Sequence, residues 1–192
     1  MVWVWDDPTI GADFSAQFDD ETSAVVHSLS RPRHPLPGNA RAVFKSTSGV
    51  KRFKQYHCPP FERWPVIDAV WKEIISEFVA PGHIQFFPVE LRARSEICHE
   101  FFWMIPLCVF PCLDLKKSKF HYHPEVKEWV AIYAGGPWVF KEDCLAGAHL
   151  ARDFNFGRLI IVSDELRDAL AATGEEYLFR RGDDFGWPKD GS

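Results

Sequence analysis

The feature that most constrains the fold is a run of thirteen uncharged, mostly apolar residues from Phe101 to Leu113. Pro106 and Pro111 interrupt the run, which is too short to cross a bilayer and therefore indicates core. The segment from about Glu100 to Phe110, which includes most of this run, predicts a strand with apolar side chains on both faces. We therefore expect other parts of the chain to cover both sides of its sheet. Because a proline has no backbone N–H, Pro106, like Pro88 in a neighbouring predicted strand, is expected at a sheet edge or a bulge.

Two segments have the spacing of amphipathic helices. From Pro65 to Ala80 apolar residues recur at three- and four-residue intervals, and Pro81-Gly82 is expected to end the helix. The second helix is predicted over 164–172, where Ser163 is the expected N-cap and Gly174 the expected left-handed closing residue.

The remaining pattern favours short strands that do not alternate regularly with the helices. We therefore predict an α+β fold with a mostly antiparallel sheet and two main amphipathic helices, about 65–80 and 164–172. Residues 6–24 are predicted to be an irregular acidic loop. The predicted strands are 2–5, 42–44, 84–91, 100–110, 159–162 and 177–179, with a hairpin of 129–133 and 138–140 around Gly135-Gly136.

Charge is distributed unevenly along this chain of 192 residues with net charge −5. Residues 1–30 carry six acids and no Lys or Arg, whereas residues 31–60 carry seven basic residues and no acids. The acidic total disfavours a protein that coats nucleic acid. Two interpretations of the segregation stay open: the two segments neutralise each other locally, or they form patches that steer a charged partner. The length favours a single domain over 1–192, in which a charge-segregated N-terminal segment (residues 1–60) precedes the remainder (residues 61–192).

The five cysteines indicate a reducing compartment. Their number is odd and their spacing does not form a disulfide framework, and the apolar surroundings of Cys108 and Cys112 suggest buried, inert thiols. The first residues lack the basic and apolar regions of a secretory signal. We therefore expect a cytoplasmic protein.

Motifs for enzymatic chemistry are sparse. There is no glycine-rich phosphate loop, HExxH or CxxC, and no cofactor is expected. His121 and His123 alternate as they would on one face of a strand, and a third ligand from His99, Cys112 or Glu125 would complete a metal site. A metal-dependent enzyme using His121 and His123 is thus one alternative, and exposed histidines without a ligand are the simpler interpretation.

The basic segment 41–54 suggests a second alternative. Its end, Lys51-Arg52-Phe53-Lys54, interleaves cations with an aromatic ring, as in proteins that stack on single-stranded nucleic acid. A nucleic-acid accessory protein would use this segment, whereas a solvated turn would need no ligand.

An ordered set of segments in the second half resembles immunity proteins of bacterial polymorphic-toxin systems, nearest to immunity families forty-three and eleven. The resemblance covers roughly residues 60–180 and predicts a small residue near Glu175 or Glu176, where this chain has two acids. The segments are Ile84-Gln85-Phe86-Phe87-Pro88-Val89-Glu90-Leu91, Leu113-Asp114-Leu115-Lys116-Lys117-Ser118, Val139-Phe140-Lys141-Glu142-Asp143-Cys144-Leu145-Ala146-Gly147 and 159–170.

The resemblance implies inhibition by binding, without catalytic residues. Such a protein binds the toxin domain encoded beside it, usually one delivered by a type VI or Rhs-type pathway. On charge alone, we expect the acidic residues Asp19, Asp20, Glu21, Asp183 and Asp184 to face a basic toxin cleft.

Overall fold

The computed structural model describes residues 2–6, 12–19, 42–61, 65–118, 120–125, 128–131 and 138–181, without the side chains of 121–123 and 128–131. It shows the predicted α+β fold, with mainly antiparallel sheets and two main helices. The helices are α1 (Val50–Phe53), α2 (Ala69–Phe78) and α3 (Asp164–Ala171), with 3-10 turns at Pro81–His83 and Glu176–Leu178. The strands are β1 (Val2–Trp5), β2 (Gln17–Phe18), β3 (Ala42–Ser46), β4 (Val66–Ile67), β5 (Ile84–Ala93), β6 (Glu96–Cys98), β7 (Phe102–Pro106), β8 (Val109–Phe110), β9 (Phe120–His123), β10 (Glu128–Ala131), β11 (Leu150–Asp153), β12 (Ile160–Ser163) and β13 (Phe179–Arg181).

The first sheet has the order β13-β1-β12-β11-β8. Strand β1 lies inside this sheet and runs antiparallel to both neighbours, so that Trp3 is opposite Val162 of β12 and Arg181 of β13. Strand β8 joins the far edge parallel to β11. The predicted strands 2–5 and 159–162 are thus confirmed, within one residue, as central strands.

The second sheet has the order β2-β3-β5-β7-β4, and β6 forms a hairpin with β5. The pairing of β3 with β5 is parallel, whereas the other pairings are antiparallel. Strands β9 and β10 form a separate two-stranded hairpin.

The apolar run divides between the two sheets, so the prediction of one strand over 100–110 is wrong. Strand β7 ends at Pro106, which has no backbone N–H to donate to the sheet. The N–H of the next residue, Leu107, donates to the carbonyl of His83 at 2.8 Å. The chain then enters the first sheet as β8. The expected cover on both faces is confirmed, because Trp103, Met104 and Ile105 are all buried.

Pro88 occupies the middle of β5 where its missing N–H costs no ladder bond. Strand β5 pairs with β7 over Ile84–Pro88, and its pairing with β3 begins only at Val89. At Pro88 the side of β5 that faces β3 is therefore unpaired, which agrees with the expectation that this proline lies at a sheet edge.

The first main helix begins later than its periodicity predicts. Val66 and Ile67 pair with β7 as the short strand β4, and both are fully buried. Asp68 then caps α2, because its Oδ1 accepts a hydrogen bond from the N–H of Trp71 at 3.0 Å. The helix therefore starts at Ala69, not at Pro65.

The second main helix matches its prediction closely. The Ser163 hydroxyl accepts from the N–H of Leu166 at 3.2 Å, which makes Ser163 the N-cap of α3. Beyond the helix Gly174 has φ +105°, the left-handed conformation that favours glycine.

The core extends over both sheets. One apolar cluster joins the second sheet, α2 and α3 to one face of the first sheet, and Trp5 of β1 belongs to it. A smaller cluster covers the opposite face of the first sheet, where it includes Val4, Leu113 and Leu145. The smaller cluster supports the loop described below.

Three other predictions need correction. The segment 6–24 includes β2, which pairs with β3, so its described residues are not wholly irregular. Glu176–Leu178 is a 3-10 turn, and the last strand starts at Phe179. The tip of the predicted hairpin lies outside the described residues, and β10 instead pairs with β9, while Phe140 bridges to Leu113.

None of the helices in the described ranges has the length and apolar character that crossing a bilayer requires.

Candidate functional site

A groove of about 910 Å³ opens where the segment 138–149 meets β1 and the start of α3. Its lining is largely apolar and includes Val2, Phe140 and Leu145. Leu145 is buried in the smaller core cluster, and Phe140 packs partly against it. The floor of the groove is thus continuous with the core.

The loop 141–149 forms one wall, and backbone hydrogen bonds hold it in place. The N–H of Lys141 bonds the carbonyl of Cys112 at 2.9 Å, and the N–H of Ala146 bonds the carbonyl of Asp143 at 2.8 Å. Asp143, Ala146 and Gly147 have φ values of +47°, +49° and +84°. Because an alanine rarely adopts this left-handed region, the packing around the loop must impose its shape.

The opposite wall is the first turn of α3. The Asp164 carboxylate accepts from the Trp3 indole N–H at 2.8 Å, and this bond holds the pKa of Asp164 below its ordinary value. A hydrogen bond from the backbone N–H of Glu165 and a second, weaker contribution from the Ser163 hydroxyl hold the pKa of Glu165 below its ordinary value. Nδ1 of His149 lies 2.9 Å from the Ser163 Oγ and 3.8 Å from the Glu165 Oε2. Both acids therefore stay ionised at neutral pH.

The rim of the groove is acidic. Four carboxylates line it, those of Glu142, Asp143, Asp164 and Glu165. The side chains of Glu142 and Asp143 are exposed and form no ion pair within the described portion of the chain. Lys141 brings a positive charge, and its Nζ donates to the carbonyl of Pro111 at 2.7 Å. The groove thus combines an apolar floor with a net negative rim.

Two thiols meet beside this groove. The Sγ of Cys112 donates to the carbonyl of Cys144 at 3.3 Å. A separate hydrogen bond between the two thiol side chains raises the pKa of the buried Cys112 thiol and lowers that of the half-buried Cys144 thiol. Cys144 lines the groove. Sequence reasoning missed this pair because the two cysteines are 32 residues apart and no motif connects them.

Of the five acidic residues expected to face a partner, the structure describes Asp19. Its carboxylate is partly buried, 2.8 Å from the Lys45 ammonium and 3.8 Å from the Arg92 guanidinium. The other four, Asp20, Glu21, Asp183 and Asp184, lie outside the described residues.

Several basic side chains of the segment 41–54 form ion pairs within the chain. Lys45 pairs with Asp19 and Arg52 with Asp13, which links the acidic and basic segments. Lys54 pairs with Glu100 of the loop before β7. These contacts agree with the interpretation that the two oppositely charged segments neutralise each other.

The histidines of the metal hypothesis lie on β9. The backbone register places His121 opposite Val130 and His123 opposite Glu128, but their side chains are outside the described set. Among the side chains that are described, no group of three or more His, Cys, Asp or Glu residues is arranged to hold a metal ion.

A buried polar junction forms around Glu175, shortly after the end of α3. The Glu175 carboxylate is 7% exposed and accepts from the backbone N–H groups of His57 and Cys58, at 2.5 and 3.0 Å. The His57 Nδ1 lies 2.7 Å from the Asp68 carboxylate that caps α2. Both carboxylates accept backbone N–H groups, so the arrangement joins three chain segments structurally. The acid found where the resemblance predicts a small residue thus has a defined role.

Residues 60–180 match the model of an immunity protein family. The match covers more than half of the chain, and the chain belongs to that family, Imm11. The resemblance to family eleven is therefore confirmed. The matched segment contains the groove loop, α2, α3 and Glu175, whereas β1 to β3 precede it. A search of curated proteins finds no match.

Proposed function

We propose that this protein binds and neutralises a cognate secreted toxin domain in the bacterial cytoplasm, and that it inhibits by occupying the toxin without catalysing a reaction. Membership of the Imm11 immunity protein family carries the proposal. The partner is the toxin domain encoded beside this chain, in a polymorphic-toxin system of the type VI or Rhs kind. An acidic total charge is compatible with a partner that has a basic cleft.

Co-expression tests this function directly. The toxin domain of the adjacent reading frame, produced in the cytoplasm of a bacterial host, should stop growth alone and should permit growth when this chain is co-expressed. The purified pair should form a stable complex in size-exclusion chromatography. An unrelated toxin domain is the control and should remain lethal. Growth arrest that persists despite full expression of this chain would contradict the proposal.

The acidic residues Asp19, Asp20, Glu21, Asp183 and Asp184 are proposed to steer the toxin domain toward its site. Reversing Asp20, Glu21, Asp183 and Asp184 to lysine should slow association roughly tenfold at low salt, because steering accelerates encounter between opposite charges. Asp19→Asn is the gentler change at the remaining position, since Asp19 is already paired within the chain. The association rate of these variants should also depend less on ionic strength, as surface biosensor kinetics would show.

A matched control is available on α2. Glu73 and Glu77 are exposed and lie one helical turn apart, so the double variant Glu73→Lys/Glu77→Lys makes the same charge change as Asp20→Lys/Glu21→Lys at a different surface. An equal slowing by these two double variants would indicate an effect of net charge alone. An unchanged association rate after reversal would place the steering residues elsewhere.

A further inference from the structure

We propose that the groove between the loop 141–149 and α3 is the docking surface for a cationic segment of the toxin domain. An Arg or Lys side chain would place its aliphatic stem on the apolar floor and its charged head at the acidic rim. This inference rests on the proposed function, and it assigns the partner contact to a surface that the charge pattern of the sequence does not indicate.

The groove has the dimensions of a specific recognition site. Its volume of about 910 Å³ is enough for more than one partner side chain. Of the floor residues, Leu145 is buried in the smaller core cluster and Phe140 is partly buried against it, so the apolar floor is anchored to the core. Other exposed large apolar side chains described, such as Ile97 and Phe154, lie outside the lining of this groove.

The charges of the groove select a cation. Glu142 and Asp143 are exposed on the loop. On the helix Asp164 and Glu165 stay ionised, with Arg167 near Asp164 and His149 near Glu165. The ammonium of Lys141 donates a hydrogen bond to the Pro111 carbonyl within the chain. Within the described residues Glu142 and Asp143 have no ion pair, so an arriving guanidinium or ammonium would meet these two carboxylates without displacing one there. A nucleic-acid phosphate would be repelled.

The shape of the loop is fixed before binding. Left-handed backbone at Asp143, Ala146 and Gly147, together with the burial of Leu145, defines one conformation of the wall. A preorganised site loses less conformational entropy when a partner docks. A second copy of this chain is a poor occupant, because its net charge is −5 and Lys45 and Arg52 of its basic segment are paired internally.

The first test compares two variants with similar total charge change. Glu142→Lys/Asp143→Asn/Glu165→Gln removes three of the four rim carboxylates and keeps at 143 a residue that tolerates left-handed backbone. Glu73→Lys/Glu77→Lys makes an equal formal change on α2. Against the purified toxin domain, the groove variant should raise the dissociation constant roughly tenfold or more, and the α2 variant should stay within about twofold. Circular dichroism confirms folding, and Glu142→Lys alone replaces the triple variant if that protein is unstable.

The second test measures the chemical reactivity of Cys144, which lines the groove and has a lowered thiol pKa, with and without the bound partner. Bound toxin domain should slow alkylation of Cys144 by iodoacetamide, read by mass spectrometry, whereas Cys108, outside the groove lining, should react as before. A synthetic peptide of alternating arginine and leucine should also protect Cys144, and its counterpart of alternating glutamate and leucine should not. The groove variant should lose the protection by the arginine peptide.

The outcomes separate the two proposals. Rescue and binding by the wild-type chain, with equal binding by the groove variant, would overturn the groove inference and leave the proposed function standing. Protection by the arginine peptide without rescue by the wild-type chain would contradict the proposed function and leave a cation-binding groove. A dimer in solution that the groove variant abolishes would identify a second copy as the occupant and overturn the inference.

Discussion

Replacing Trp71 by alanine should lower the free energy of unfolding by about 3–5 kcal/mol. The Trp71 ring is fully buried, and its centroid lies 5.4 Å from that of Trp5 and 6.0 Å from that of Phe179. Its indole N–H donates to the Thr173 hydroxyl at 2.8 Å. The substitution therefore removes the contact between α2, the first sheet and the end of α3 in one step. Urea denaturation followed by circular dichroism measures the loss.

Two neighbouring substitutions serve as controls for that result. Trp71→Phe keeps an aromatic ring and loses the indole N–H, so its cost should be clearly smaller. Val70→Ala changes the adjacent, largely exposed position of α2 and should cost less than about 0.5 kcal/mol. If Trp71→Ala cost no more than Val70→Ala, the packing described at this junction would be wrong.

Glu175 should give the protein a pH dependence of opposite sign to that of an ordinary ion-paired acid. Burial raises the pKa of the Glu175 carboxyl above 4.5, although the backbone N–H groups of His57 and Cys58 act in the other direction. The folded state therefore holds the proton more tightly than the unfolded state. The contribution to stability is full below about pH 4.5 and is lost as the pH rises through the raised pKa.

Comparison with Glu175→Gln isolates this dependence, because the amide does not titrate. The unfolding free energy of the wild type minus that of the variant should fall as the pH rises from 4.5, and then level off. Glu175→Ala leaves two backbone N–H groups without their acceptor and should cost on the order of 2 kcal/mol. A difference that grows with pH would show that the pKa of Glu175 is lowered.

The fold was predictable where several local signals agree. The helix at 164–171 has its cap, its apolar spacing and its glycine within a dozen residues, and each signal agrees. The start of α2 was not predictable in this way, because Val66 and Ile67 satisfy helical spacing and strand pairing equally well. Their partner β7 lies more than 30 residues away, and tertiary contact decides between the two.

The candidate groove was harder to predict than the fold. Its acids Glu142 and Asp143 are separated from Asp164 and Glu165 by a strand, a turn and a second strand, and no spacing rule brings them together. Charge counting instead pointed to the acidic beginning of the chain, where Asp19 proves to be paired with Lys45. The hydrogen bond between Cys112 and Cys144 is likewise a result of the fold.

The position of β1 determines how late in synthesis the first sheet can form. Trp3 pairs with Val162 and Arg181, about 160 and 180 residues later in the chain. A ribosome must therefore synthesise most of the polypeptide before the first sheet can close, and until then β1 lacks both of its neighbours. Contacts of such long range form slowly. A polypeptide truncated before β12 would leave the buried strand β1 without a partner, so completion of the chain is a condition for closing the first sheet.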